Sequence, residues 1–247
     1  MTTWIEAFNV GWFTTPAGLM RRDDPLDQPA RFPIPAYVIV TGEHRILVDT
    51  GLHPSAVADA AAYYDGADAM SIFTLEQQRS IAEQIDVATL TMVVLTHLHF
   101  DHAGGLPLIP ATVPLVIQER EWAAANDRAL VQANGYLRRD YVGTARPIVL
   151  VDGDHDLLGD GSIELLFTPG HTPGHQSVRT GDLVIGADVC HYASGLDDHR
   201  FPIFGHDLEQ QARSAQRLRE LRDAGLTVLP GHDPDVLMPG PIAAAAR

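Results

Sequence analysis

Met92-Val93-Val94-Leu95-Thr96-His97-Leu98-His99-Phe100-Asp101-His102 is the stretch that decides how the rest of the chain is read. Its first four residues are continuously apolar, as a strand covered on both faces should be. The segment His97 to His102 holds three imidazoles and one carboxylate. A lone histidine near a strand end is ordinarily a hydrogen-bonded surface or core residue. Three clustered imidazoles are different: protonated, they repel one another, and buried neutral without partners they cost desolvation free energy. A cation turns that liability into coordination. His97 and His99 lie two apart, so in an extended turn both reach one ion, while Asp101 and His102 open the next segment and face a neighbouring one. Gly104-Gly105 give the backbone freedom to bring that segment close.

Further outward, the other metal-competent residues also end apparent strands. Ile163 to Phe167 leads into Thr168-Pro169-Gly170-His171-Thr172-Pro173-Gly174-His175, where two Pro-Gly pairs mark turns that aim a histidine inward. Leu183 to Gly186 ends in Ala187-Asp188, and Thr227 to Leu229 ends in Pro230-Gly231-His232. Loops at strand ends are where layered structures collect functional side chains. Taken alone, Asp188 reads equally as a ligand or a turn cap, and His175 reads as a supporting residue. Imidazole nitrogen with carboxylate oxygen suits zinc, and also iron, manganese or cobalt.

The remaining patterning is mixed. Tyr37 to Val40 and Arg45 to Val48 flank Thr41-Gly42-Glu43-His44, a hairpin signal. Strands are expected near Pro114 to Ile117, Pro147 to Val151 and Ser177 to Arg179. Helices are expected over Leu75 to Ile85, Gln118 to Leu130 and Leu208 to Ala224, the last stopped by Gly225. Thr14 to Phe32 and His53 to Ser71 carry no clear signal, residues 55 to 64 reading equally as helix or loop. Sheets with helices packed outside fit this order of elements, in one domain over residues 1–247.

Bulk composition narrows the partners. Apolar residues make up 45% and charged ones 20%, as in a globular protein. The formal charge is −15 and all 17 basic residues are arginine, with only Arg21-Arg22 and Arg138-Arg139 adjacent. Such a chain repels phosphate backbones, so nucleic acid is not an expected partner. Cys190 is the single cysteine, which excludes an internal disulfide and a cysteine-only metal site. No run reaches the roughly 18 apolar residues of a membrane helix, and no leader pattern opens the chain, so a cytoplasmic setting is expected.

Thr96 to Gly105 resembles the signature of the metallo-β-lactamase superfamily. Leu47-Val48-Asp49-Thr50-Gly51, Thr168-Pro169-Gly170-His171, Gly186-Ala187-Asp188 and Gly231-His232 resemble its remaining motifs in order, over roughly residues 35 to 235. The resemblance implies an α+β fold, a four-layer αββα sandwich with the metals at one edge between two mixed sheets. It implies His97, His99 and His171 for one ion, Asp101, His102 and His232 for the other, Asp188 between them, and Asp49 in support. Thr96 to Gly105, Thr168 to Ser177, Pro114 to Ala124 and Gly205-His206-Asp207-Leu208 resemble most the N-acyl homoserine lactonase group. That group usually places a tyrosine three residues after the bridging aspartate. Here the third residue is His191 and the fourth Tyr192, and either can donate a hydrogen bond.

The expected chemistry is lactone hydrolysis by a hydroxide held between two divalent ions. Asp101 would move the proton, and His191 or Tyr192 would assist at the carbonyl or leaving oxygen. The expected partner is a small molecule with an apolar acyl part, with a second copy of the chain as a further option. Trp4, Phe8, Trp12, Phe13, Leu19 and Met20, or Phe201-Pro202-Ile203-Phe204, are candidate pocket walls. Other readings are ester, thioester or small phosphodiester hydrolysis, a di-iron oxidoreductase, and a non-catalytic metal-binding protein.

Overall fold

In the computed structural model, which describes residues 3–143, 145–202, 204–237 and 239–242, thirteen strands form two sheets. They are β1 (Trp4–Pro16), β2 (Pro29–Thr41), β3 (His44–Val48), β4 (Thr74–Glu76), β5 (Met92–Val94), β6 (Leu115–Gln118), β7 (Ile148–Val151), β8 (His155–Asp156), β9 (Glu164–Phe167), β10 (Gln176–Thr180), β11 (Leu183–Ala187), β12 (Thr227–Pro230) and β13 (Gly240–Ile242). The first sheet runs β13-β1-β2-β3-β5-β6-β7, with β4 on β1, and the second runs β12-β11-β10-β9-β8. Both are mixed. β3, β5, β6 and β7 are mutually parallel, as are β11 and β12, and the other pairs are antiparallel.

Strand alternation sets the layers, because successive side chains point to opposite faces. Ile39, Ile46, Val48, Val94 and Val116 of the first sheet pack against Leu165, Val178, Leu183 and Ile185 of the second. Their neighbours Val38, Leu47, Val93 and Leu115 face the other way, onto Ala56, Leu98, Ala103 and Leu106. Val184 and Leu166 on the second sheet's far side meet Ala215 and Leu218 of the helix Leu208–Asp223. Helices, sheet, sheet and helix therefore stack as the expected αββα sandwich. Each fully buried Leu, Ile or Val contributes roughly 1.5–3 kcal/mol.

Several elements depart from the sequence expectations. Thr14 to Phe32 contains the end of β1, a short helix Ala17–Met20 and the start of β2. β1 lacks a clean alternating pattern because its register slips between Asn9 and Trp12, opposite Pro35 and Pro33, neither of which has an N–H to donate. The expected helix Leu75–Ile85 begins as β4, with Leu75 paired to Phe13. Only Ile81–Gln84 is helical there, started by the reciprocal Ser80 and Glu83 capping box. The expected helix Gln118–Leu130 is two helices, Glu119–Ala124 and Arg128–Ala133, because Asp127 accepts from the N–H groups of Ala129 and Leu130 and starts the second. Residues 55 to 64 are largely helical, as Pro54–Ala58 and Ala60–Tyr63.

Candidate metal centre

Asp49, His97, His171, Asp188 and His232 follow the carboxyl ends of β3, β5, β9, β11 and β12. Parallel pairing of β3 with β5 and of β11 with β12 brings those ends to one edge of the sandwich. A cross-sheet clasp fixes that edge. The Gln176 N–H donates to the Thr96 carbonyl at 2.9 Å, and its side-chain amide donates to the Leu95 carbonyl at 2.8 Å. Asp49 and Ala187 take left-handed backbone angles, φ +58° and +45°. Such strain in a non-glycine residue persists only where surrounding structure enforces it.

His97, His99 and His171 form one donor group, and Asp101, His102, Asp188 and His232 form another. His97 Nε2 and His171 Nε2 each lie 3.0 Å from His99 Nδ1. Asp188 faces both groups: its Oδ2 is 3.3 Å from His171 Nε2 and 3.8 Å from His97 Nε2. Its Oδ1 is 3.2 Å from His232 Nε2 and 3.5 Å from His102 Nε2. Asp101 Oδ2 lies 3.3 Å from His232 Nε2 and 3.7 Å from His102 Nε2.

Three of the histidines have their outward ring nitrogens held by fixed acceptors. His99 Nε2 meets the Asn134 carbonyl at 2.8 Å, His232 Nδ1 meets that of Pro33 at 2.9 Å, and His102 Nδ1 meets Asp49 Oδ2 at 2.7 Å. An imidazole whose one nitrogen donates outward presents a lone pair from the other, as metal-binding histidines do. Asp49 also accepts from the Thr96 N–H at 2.8 Å and its hydroxyl at 2.9 Å. His175 works on the backbone instead. Its Nδ1 lies 3.1 Å from the Thr168 carbonyl, so its Nε2 accepts the Asp188 N–H at 3.2 Å and fixes that turn.

Electrostatics agree with a cationic occupant. Burial pushes His97 and His171 well below the ordinary imidazole range, leaving them neutral donors. Burial opposes ionisation of Asp188, but His232, His102 and His191 outweigh it and hold the carboxyl well below its usual range. Burial also opposes charge on His102, which Asp188, Asp101 and Asp49 nevertheless raise well above its usual value. His102 Nε2, His232 Nε2 and Asp188 Oδ1 are buried and have no hydrogen-bond partner among the described residues. Converging polar atoms left without hydrogen bonds are costly, and a shared cation satisfies all three. The donor set therefore fits a pair of metal ions.

One supporting residue had no sequence signal. Glu121 is fully buried on the helix Glu119–Ala124, and its two carboxylate oxygens accept the N–H groups of Leu98 at 3.0 Å and Gly174 at 2.9 Å. It thus joins the His97–His99 turn to the His171–His175 turn. Nothing in the local sequence distinguishes it from the exposed Glu119 two residues earlier. His191 is buried, with Nε2 3.2 Å from Asp188 Oδ2. Tyr192 turns away from the cluster: its ring packs 6.0 Å from Phe32, with the Arg21 guanidinium 5.5 Å over it.

A cleft of about 310 Å³ ends on His99 and His171, with walls from Met70, Ile72, Phe73, Phe100 and Phe204 and polar groups from Gln132, Asn134 and His206. Of the N-terminal residues expected as walls, Phe13 and Met20 border the small cavity over Asp101, Asp188 and His191. Trp4 stands on the far part of β1, exposed, and Phe201 is a buried anchor against the helix Leu208–Asp223. Ile203 lies outside the described residues.

Fold and donor set agree with the comparison to known proteins: the sequence profile of the metallo-beta-lactamase superfamily matches residues 29–232, and the chain belongs to that family. Among its relatives is the N-acyl homoserine lactonase AttM of Azorhizobium caulinodans, 30% identical over 218 residues, 82% of each chain. An N-acyl homoserine lactonase of Bacillus cereus is 30% identical over 200 residues, 76% of each. A solved N-acyl homoserine lactone hydrolase, with N-hexanoyl-L-homoserine bound at its catalytic metal centre, superposes with a TM-score of 0.82 at 25% identity, covering 95% of each chain.

Proposed function

We propose that this protein is a two-metal hydrolase that opens the ring of N-acyl homoserine lactones. The observation that carries this reading is the apolar cleft ending on His99 and His171, beside donors for two ions. The lactonase relatives and the hydrolase with N-hexanoyl-L-homoserine at its metal centre support the same substrate class.

In this reading His97, His99 and His171 would hold one ion, Asp101, His102 and His232 would hold the other, and Asp188 would serve both. Zinc is the proposed metal, because it accepts imidazole nitrogen and carboxylate oxygen together and imposes no geometric preference of its own. Bound there, the two cations supply Lewis acidity and a water that ionises near neutral pH. The acyl chain lies along Met70, Ile72, Phe73 and Phe204, which leaves the polar lactone ring at the cluster. The Asp101 carboxylate takes a proton from the attacking water and returns it to the ring oxygen as the C–O bond breaks. One water is consumed, and the product is a hydroxy acid that ionises to its carboxylate. His191, rather than Tyr192, borders the reacting space.

All these residues come from one chain, so the reading needs no second copy, and residues 1–247 act as one catalytic domain. The charge of −15 argues against nucleic acid. Among the described residues, no helix is long and apolar enough to cross a membrane. The buried, unpaired Cys190 suits a reducing, cytoplasmic setting.

The test is a panel of short- and long-chain N-acyl homoserine lactones, thioesters, aryl esters and phosphodiesters, run with protein of measured metal content. Lactones should turn over fastest. Faster turnover of a phosphodiester or thioester would overturn the substrate assignment. His99→Ala and Asp188→Ala should each lose most bound metal and more activity than the roughly 10–100-fold cost of removing an outer metal-supporting partner. Full activity in either variant with depleted metal would sink the mechanism.

A further inference from the structure

His191 stands where the lactonase resemblance implies a tyrosine three residues after Asp188, and the two side chains do different chemistry. A phenol donates a hydrogen bond, whereas a neutral imidazole also offers a strong nitrogen lone pair. His191 is buried, and both its ring and its backbone are held. Its Nδ1 lies 3.1 Å from the Met20 carbonyl, and its own carbonyl accepts the His232 N–H at 3.0 Å. The Met20 oxygen can only accept, so Nδ1 carries a ring proton, which leaves Nε2 as the nitrogen that can present a lone pair to a cation. That lone pair points at Asp188 Oδ2 from 3.2 Å, the oxygen that also lies 3.3 Å from His171 Nε2. Two facing lone pairs at this distance repel unless a proton or a cation lies between them.

The same construction recurs around the cluster. His232 gives Nδ1 to the Pro33 carbonyl and brings Nε2 within 3.2 Å of Asp188 Oδ1. His99 gives Nε2 to the Asn134 carbonyl and turns Nδ1 inward. One nitrogen anchored on a carbonyl and the other aimed at the centre is the arrangement of a metal-binding histidine. His191, His171 and Asp188 also place their donor atoms within 4.8 Å of one another.

We propose that His191 is an eighth metal ligand, its Nε2 binding the ion on the His97, His99 and His171 side through the edge where Asp188 Oδ2 lies. The proposal rests on the two-ion reading above. It gives that ion one more imidazole than the resemblance implies and removes the hydroxyl donor that a tyrosine would supply. The ion on that side should accordingly be the harder one to strip.

The experiment loads the protein with cobalt(II) and counts hyperfine-shifted, exchangeable ring N–H resonances by proton NMR. Each bound histidine gives one such signal, so His97, His99, His102, His171 and His232 account for five, and His191 adds a sixth. His191→Phe should lose one signal and bind cobalt more weakly, by at least the roughly tenfold that loss of an outer partner costs. His191→Gln supplies the same comparison if the Phe variant does not fold, and the wild-type count stands without either. Five signals in the wild type, unchanged by replacement of His191, would overturn the proposal and leave the two-ion reading intact. Failure of the wild type to take up two cobalt ions would overturn both. A sixth signal that disappears on replacement supports His191 as a ligand whichever ester the protein hydrolyses.

Discussion

Asp140 is fully buried, with the Tyr64 hydroxyl 3.0 Å from its Oδ2 and 3.3 Å from its Oδ1. Burial pushes its carboxyl up from 3.8 to about 8, against the pull of Tyr64 and Arg139. The folded protein therefore holds a proton there that the unfolded chain releases. Stability from this group is full below pH 3.8 and is lost as pH rises toward about 8, at up to roughly 1.4 kcal/mol per pH unit. Asp140→Asn removes the ionisation and keeps a side chain that can pair with Tyr64. Urea unfolding at pH 5, 6.5 and 8 should show a flatter profile for the variant and greater stability than wild type at the highest pH. An unchanged slope would mean that another group carries the dependence. Asp140 illustrates what single residues conceal: an Asp after Arg138-Arg139 reads as a solvated charge, and only its neighbours bury it. The metal donors are the opposite case, because clustered imidazoles have few other physical justifications.

At the scale of elements, the site depends on how closely two turns approach two helices. A Cβ on Gly174 would lie 2.1 Å from the Glu121 backbone nitrogen, and one on Gly170 would lie 2.1 Å from that of Gln211. Gly174→Ala must push the His171–His175 turn off the helix Glu119–Ala124. It should lower metal affinity about tenfold or more, the scale seen when outer metal-site partners are lost. Glu121→Gln is the milder probe. Its amide has one accepting oxygen for the two N–H groups of Leu98 and Gly174, and a buried donor left unpaired costs roughly 1–3 kcal/mol. Thermal melts with a parallel metal titration should rank wild type above Glu121→Gln and Glu121→Gln above Gly174→Ala. An Ala variant that melts and binds metal like wild type would refute the close-packing account. The long helix Leu208–Asp223 was legible because its apolar period persists over four turns and Gly225 ends it. β4 was not, since three residues hold strand geometry only by pairing with β1, and such a partner leaves no local pattern.

For the whole molecule, the cluster lies where the two sheets meet and draws its donors from residues 97 to 232, so cations bound there would act as a clasp on the fold. Ligands that bind only the folded state add RT ln(1 + [L]/Kd), about 2.7 kcal/mol at a hundredfold excess over Kd. For a chain of this size each kcal/mol moves the melting temperature by about 2–4 °C. Exhaustive chelation should therefore lower the midpoint by roughly 5–10 °C for each ion held at that excess. Secondary structure by circular dichroism should persist below the transition, because the inter-sheet core is built from apolar side chains and includes none of the metal-competent residues. A melting temperature indifferent to chelator would show that the cluster does not couple the sheets through an ion.

Strand and helix order over most of the sandwich, the donor types, and the grouping of His97 with His99 and Asp101 with His102 can all be read along the chain. Those are local facts, fixed by alternation, turn residues and spacing. Packing, by contrast, turns one Asp188 oxygen to each donor group and makes Glu121 tie two turns together. It likewise forms the apolar cleft among Met70, Ile72 and Phe73, and turns His191 inward and Tyr192 outward. The physical reason is the same in each case. A side chain's direction at a strand end depends on one or two backbone angles, such as the left-handed turn at Ala187, and those angles are set by the partners packed around them.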